Sequence, residues 1–208
     1  MLLLSFKIYR TFCVRKAYCL FVFSLLCSSL FAQNVAVINS KPIGSKEFMW
    51  AYKKSHNGNI TTDYNELLAY LNLYIDFKLK VLDAREMGLD KNVDYQEEVN
   101  SYNDALEAHK KAVRSNKEHD YLLNECKDGV LMFNVSELKI WNKAQDDEQG
   151  VVDFYKKNKQ NYNKPLNEVK GEVIADYQQK LEENWLNSLR EKYPIKINEN
   201  ELRKLAKL

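Results

Sequence analysis

Between Asp63 and Leu89 apolar residues recur every three or four positions, at Leu68, Leu71, Ile75, Leu79 and Leu82. A second row, Tyr70, Tyr74, Phe77 and Val81, runs beside the first. This spacing predicts an α-helix, and two adjacent rows make an apolar face wide enough for more than one neighbour. The stretch holds no Gly or Pro before Gly88, which suits a left-handed C′ position with Leu89 as its hydrophobic C″ contact. Thr62 or Asp63 is placed to cap the start. The helix reads as the spine of the chain.

The same pattern divides the flanking sequence. Val35 to Ile43 alternates and is rich in β-branched residues, with Asn39-Ser40 as a turn, so one or two short strands are expected. Ser45 is placed to cap a helix to about Ser55, which His56-Asn57-Gly58-Asn59 breaks. Beyond Gly88 a helix starts near Asn92 or Asp94, where Asp94 with Glu97 has the form of a capping box, and its stripe is Val99, Tyr102, Leu106, His109 and Val113. The phase is lost around Ser115-Asn116, and Glu118 to Phe133 forms a further helix carrying Tyr121, Leu122, Cys126, Val130, Leu131 and Phe133. Ser136 looks like a new N-cap, with Val135 and Ile140 as a hydrophobic staple, and Asp146 with Gln149 like another start. The polar run from Lys156 to Pro165 is the best candidate junction, near 156–166. A long helix then runs from Leu166 to Tyr193 and is ended by Pro194. Tyr193 to Ile197 alternates as a short strand, and Asn198 with Glu201 opens a terminal helix. A strand needs a partner for its backbone, and no other candidate lies between the two ends. Val35–Ile38 is therefore expected to pair with Ile195–Ile197. The fold class is mostly α, with a small antiparallel pairing of the N-terminal and C-terminal strands.

Composition changes this picture little, because 45% hydrophobic residues with only six Gly and three Pro fit a helix-rich folded chain. Charge changes it more. Of 31 basic residues, Lys7, Arg10, Arg15 and Lys16 lie in the first 32 positions, which hold no acid. The rest has 27 basic against 29 acidic residues with the signs interspersed, so no footprint for nucleic acid exists. Residues 1–32 read as a secretory signal: a basic region to Lys16, an apolar run from Ala17 to Phe31, and Ala32 before Gln33 as the cleavage point. A signal anchor is the rival, although the run is shorter than the roughly 20 residues of a span. Lipoprotein processing at Cys27 is the third alternative, disfavoured by Leu26 ahead of it. Cleavage would remove Cys13, Cys19 and Cys27 and leave Cys126 alone, so no intramolecular disulfide is expected in residues 33–208. Cys126 reads as a small buried hydrophobe, with intermolecular pairing as the alternative.

Candidate chemistry is sparse. His56, His109 and His119 share no metal-ligand spacing, and no phosphate loop, nucleophile elbow or zinc motif occurs. Acidic pairs and runs such as Glu97-Glu98 and Asp146-Asp147-Glu148 sit at helix starts, where the macrodipole favours them. No cofactor is expected. Aromatic residues are 12% of the chain and 13 are Tyr, which joins an apolar body to a polar tip. Tyr70, Tyr74, Phe77 and Tyr102 lie on wide apolar faces, where they serve either as core and groove-edge packing or as a lining that holds extended polypeptide.

The order of these pieces resembles a family. VAVINSKPIGSKEF (from Val35) and YIDFKLKVLDAREMGLD (from Tyr74) are similar to the opening and central helix of SurA-like periplasmic chaperones and parvulin-type peptidyl-prolyl isomerases. The shared ending is Leu-x-x-x-acid-Ala-x-x-x-Gly-Leu. The segments from Lys127 to Tyr162 and from Glu168 to Glu199 resemble the C-terminal part of the Bacteroidetes-type members. The likeness spans most of Val35 to Leu205, as helix patterns and not as a catalytic signature. It implies a helical chaperone core over 33–208 in the periplasm, with unfolded or nascent outer-membrane and periplasmic polypeptides as partners. It also implies Tyr70, Tyr74, Phe77 and Tyr102 as polypeptide-binding residues. The departure is the absence of a parvulin module, for which neither Val113–Asp120 nor Tyr162–Val169 has room. Isomerase activity is therefore not carried over, and no enzyme is expected. A structural or adaptor protein binding one partner in the cell envelope is the alternative, and self-association is left open.

Overall fold

The computed structural model describes residues 33–61, 63–108 and 116–207. The leader, Thr62, His109 and Val113 lie outside the described residues, so the expectations placed on them have no structural counterpart. The elements in chain order are β1 (Asn34–Ile38), β2 (Lys41–Gly44), α1 (Ser45–Ser55), α2 (Tyr64–Glu86), α3 (Val93–Ala108), α4 (Asn116–Ser136), α5 (Asn142–Asp146), α6 (Glu148–Lys157), α7 (Leu166–Lys192), β3 (Ile195–Ile197) and α8 (Glu199–Leu205). The fold is mostly helical with one small sheet. It divides into a terminal unit, the described residues up to Leu68 together with those from Lys196, and a central unit, Ala69–Ile195.

In the terminal unit β1 and β2 pair antiparallel, with Ile38 opposite Lys41. The two loop residues, Asn39 (φ 45°) and Ser40 (φ 65°), are both left-handed, as a two-residue primed turn requires. The sheet order is β2-β1-β3, so the N-terminal and C-terminal strands are neighbours, as expected. Val35, Ile38, Phe48, Tyr52, Leu67 and Leu202 are fully buried and form the core of this unit. Ser45 does not cap α1. Its side chain is buried instead, with Oγ 2.7 Å from the Gln33 carbonyl and 2.8 Å from Glu201 Oε1. The helix ends as a Schellman motif: Asn57 takes the left-handed C′ position and the Gly58 N–H donates to the Lys53 carbonyl at 2.7 Å. The start of α2 is capped by Asp63, whose Oδ1 accepts from the Asn65 N–H at 2.7 Å. Asn198 caps α8 by accepting from the Glu201 N–H.

In the central unit α2 contributes Leu71, Ile75, Leu79, Val81 and Leu82 to the core. At its N-terminal end Leu67, one position before the expected Leu68, is the fully buried residue. The helix stops at Gly88 (φ 76°), and Leu89 opens a 3-10 turn. Asn92 caps α3 by accepting from the Asp94 N–H at 3.3 Å, so the Asp94–Glu97 box gives way to the earlier of the two starts. Tyr95 and Val99 are the buried residues of α3.

The largest correction concerns Ser136. It has α-helical angles and no capping bond, and the chain continues through a π-turn, Glu137–Trp141, into α5. The buried residues Leu131, Val135, Ile140 and Ala144 are spaced four, five and four apart. A π-turn adds one residue to a helical turn, so the five-residue step keeps all four on one face. The next start is also shifted by one. Asp147, not Asp146, caps α6 by accepting from the Gly150 N–H at 2.8 Å. Tyr177 OH donates to the other carboxylate oxygen at 2.8 Å, and a Cβ at Gly150 would lie 2.6 Å from that hydroxyl, which explains the glycine. Both hydrogen bonds hold the Asp147 carboxyl below its ordinary range. The polar run after Lys156 is the turn between α6 and α7, closed over a core of Val151, Tyr162 and Val173.

Candidate functional site

The site is built on the part of α2 that belongs to the central unit. Its fully buried row fixes the rotation of the helix, which leaves Tyr70, Tyr74 and Phe77 half-buried along the border of the core. The rings follow one another along the helix. Tyr70 and Tyr74 are nearly parallel with centroids 6.4 Å apart, and Tyr74 and Phe77 are tilted at 6.1 Å. Leu73 lies among them, 68% exposed. Residues 70, 73, 74 and 77 follow the i, i+3, i+4, i+7 rule and form one apolar stripe.

The cation beside the stripe is paired. Lys78 Nζ lies 5.1 Å from the Tyr74 ring and 5.9 Å from the Phe77 ring. The same ammonium pairs with Asp128 Oδ2 at 2.8 Å, while Arg85 takes Oδ1 at 2.6 Å. Asp128 is buried on α4, so these two cations pin α2 to α4 and leave the stripe apolar in character. On the opposite side of α2, buried Asp83 accepts from Trp185 Nε1 at 2.9 Å and pairs with Lys139 from the π-turn. The stripe therefore belongs to a helix held on two sides.

Tyr102, the fourth expected residue, stands 42% exposed on α3, and among the described residues no ring contact joins it to the α2 stripe. Three of the four residues are thus brought together and one is not. Leu73, Phe133 and Leu138 were not anticipated at a surface. Leu73 belonged to neither row of the amphipathic pattern, although its place three residues after Tyr70 and four before Phe77 marks it. Phe133 and Leu138 are each 52% exposed, and Phe133 meets Trp141 edge-on at 4.8 Å. Their five-and-three spacing is the outward counterpart of the four-five-four buried row, a signal visible only once the π-turn is known.

Among the described residues no group of three or more His, Cys, Asp or Glu side chains is placed to hold a metal ion. His56 stacks on Tyr52 at 4.0 Å and places Nδ1 2.8 Å from the Tyr52 carbonyl. His119 Nε2 lies 3.3 Å from Glu107. No described helix is long and apolar enough to cross a membrane. Comparison with protein-family models, curated proteins and solved structures finds no match in any of the three.

Proposed function

We propose that the chain is an exported, chaperone-like protein of the SurA-like type, lacking an isomerase module, that holds unfolded or outer-membrane-bound polypeptide. The observation that carries this reading is the stripe of Tyr70, Leu73, Tyr74 and Phe77. Aromatic rings offer large contact area at small cost in side-chain entropy, and their faces accept many apolar partners. Lys78 beside the rings is held by Asp128, so the stripe itself presents apolar surface, which suits a binder with little sequence selectivity. Holding a client by slow dissociation needs neither cofactor nor catalysis.

The test is suppression of aggregation of a chemically denatured client by the purified protein. The wild type is expected to suppress at a few-fold molar excess. Tyr74→Ala/Phe77→Ala is expected to lose at least five-fold in potency, with a circular dichroism spectrum unchanged from wild type. No suppression by the wild type rejects the reading. The exposed Phe133 and Leu138, with the half-buried Trp141 beside them, support a second reading, an adaptor with one folded partner, since paired aromatics often anchor specific interfaces. Saturable stoichiometric capture of one protein, lost in Phe133→Ser/Leu138→Ser and without affinity for denatured chains, would favour it.

A further inference from the structure

We propose that the outer edge of β3 is a binding site for an extended polypeptide segment, which adds to the sheet as a fourth strand. The inference rests on the proposed function for its occupant and on the sheet for its geometry. In the sheet order β2-β1-β3, β2 and β3 are the two edges. Which backbone groups each edge presents follows from the register.

Ile38 and Lys41 flank the two-residue turn, so they form the hydrogen-bonded pair and Lys41 turns its N–H and C=O toward β1. Position 42, opposite Val37, then faces away from β1, and it is proline, which has no N–H to offer. That edge is closed to a further strand by the loss of its donor, a common device for blunting sheet edges.

The β3 edge is different. The Asn198 N–H donates to the Val35 carbonyl at 2.8 Å. Because successive peptide groups of a strand point to opposite sides, the N–H of Lys196 faces β1 as well. The N–H and C=O of Ile197, and those of Ile195 two residues earlier, face outward. The register agrees with this over its regular part, since Ala36 and Ile38 pair toward β2 and leave Val37 between them to face β3, the register shift lying between Asn34 and Ala36. Among the described residues no further strand lies beyond β3. The edge thus offers two donors and two acceptors at the spacing of an antiparallel partner.

The side chains state what kind of segment fits. Ile195 and Ile197 lie on one face and are half-buried, while Lys196 on the other face is exposed. A segment alternating apolar and polar residues would set its apolar side chains beside the two isoleucines and its polar ones beside Lys196. This is strand addition, with main-chain bonds giving affinity and alternate side chains giving selectivity. Three residues limit the contact, so the site supplements the aromatic stripe and does not replace it.

The experiment compares Ile197→Pro, which deletes the outward donor, with Ile197→Ala, which trims the side chain and keeps the donor. The probe is a synthetic peptide of alternating Val and Thr, with an N-methylated copy as control. Wild type and Ile197→Ala are expected to bind the peptide and to slow exchange of the residue 197 amide. Ile197→Pro is expected to bind about tenfold more weakly than Ile197→Ala, the upper end of what one hydrogen bond contributes. Equal binding by Ile197→Pro and Ile197→Ala overturns the inference, as does equal binding of the N-methylated peptide. Concentration-dependent protection of the amide without peptide also overturns it, by assigning the edge to a second copy of the chain. The two proposals fail separately. Loss of aggregation suppression only in Tyr74→Ala/Phe77→Ala, with Ile197→Pro behaving as Ile197→Ala, rejects the edge and keeps the chaperone reading. Peptide binding at residue 197 by a protein that suppresses no aggregation does the reverse.

Discussion

Tyr162 shows how one side chain ties the α6–α7 turn to the solution pH. It is buried with its hydroxyl donating to Asp176 Oδ2 at 2.7 Å. Burial first, and then the hydrogen bond and charge of Asp176, push the phenol from the usual 10.0 up to about 12. A folded value raised above the unfolded one means the native state holds the proton more tightly. The resulting stability is complete below pH about 10 and is lost as the pH rises toward about 12. Tyr162→Phe is expected to remove this component. Urea midpoints at pH 9 and pH 11 should fall more steeply in wild type than in Tyr162→Phe, and parallel falls would refute the assignment. This residue was legible in the sequence only as part of a polar run. Its neighbours Asn161 and Asn163 are polar, and no local pattern reveals that Val151 and Val173, ten or more residues away on either side, close over it.

At the scale of elements, the π-turn between α4 and α5 governs what the central unit buries and what it shows. It carries Lys139 inward to Asp83, whose other partner is Trp185, while Leu138 is left exposed. Asp83 is buried, so removing Lys139 leaves a carboxylate with one neutral donor. Lys139→Ala is expected to cost about 1–3 kcal/mol, below the range for a fully buried pair. The discount reflects a Lys139 side chain that keeps 34% of its surface exposed. Adding Asp83→Asn should recover part of the loss, because the amide carries no charge and still accepts from Trp185. Urea unfolding of the wild type and both variants checks this, and a double variant weaker than Lys139→Ala would contradict it. The helices were read from periodicity, but the π-turn was read as a cap at Ser136. A serine followed by an apolar residue four positions on fits both a staple and a continuing helix. Only the α-helical backbone angles of Ser136 and its missing capping bond distinguish them.

At the scale of the whole molecule, the terminal unit is closed by residues far apart in sequence. Ser45 meets Glu201 across 156 residues, and the Arg203 guanidinium covers the Tyr64 ring at 4.2 Å. Leu202 is fully buried in the same unit. Ending the chain after Pro194 would remove β3 and α8, leaving the Val35 carbonyl without its donor and the core without Leu202. Such a truncated chain is expected to be cleaved within residues 33–61 at least ten times faster than the full chain, since local opening sets the rate. An unchanged cleavage pattern would show that the terminal strands and helix do not hold the unit.

What the sequence by itself determined is local. The helical repeat of α2, the left-handed Gly88, the primed turn at Asn39-Ser40, the stop at Pro194 and the Asn198 cap each depend on a few neighbouring residues. Torsion preferences and short-range hydrogen bonds suffice to specify them. The placing of β3 beside β1 was also legible, because a lone C-terminal strand in a helical chain has backbone groups that only the N-terminal strands can satisfy. What tertiary structure decided is which apolar residues face outward. The two rows on α2 looked alike in sequence. Packing against α4 and α7 buried Leu71, Ile75, Leu79 and Leu82 of one row and Val81 of the other, and left Tyr70, Tyr74 and Phe77 half-covered beside an exposed Leu73. Burial depends on neighbours distant in sequence, and a helical pattern states only that a face is apolar, not what will cover it.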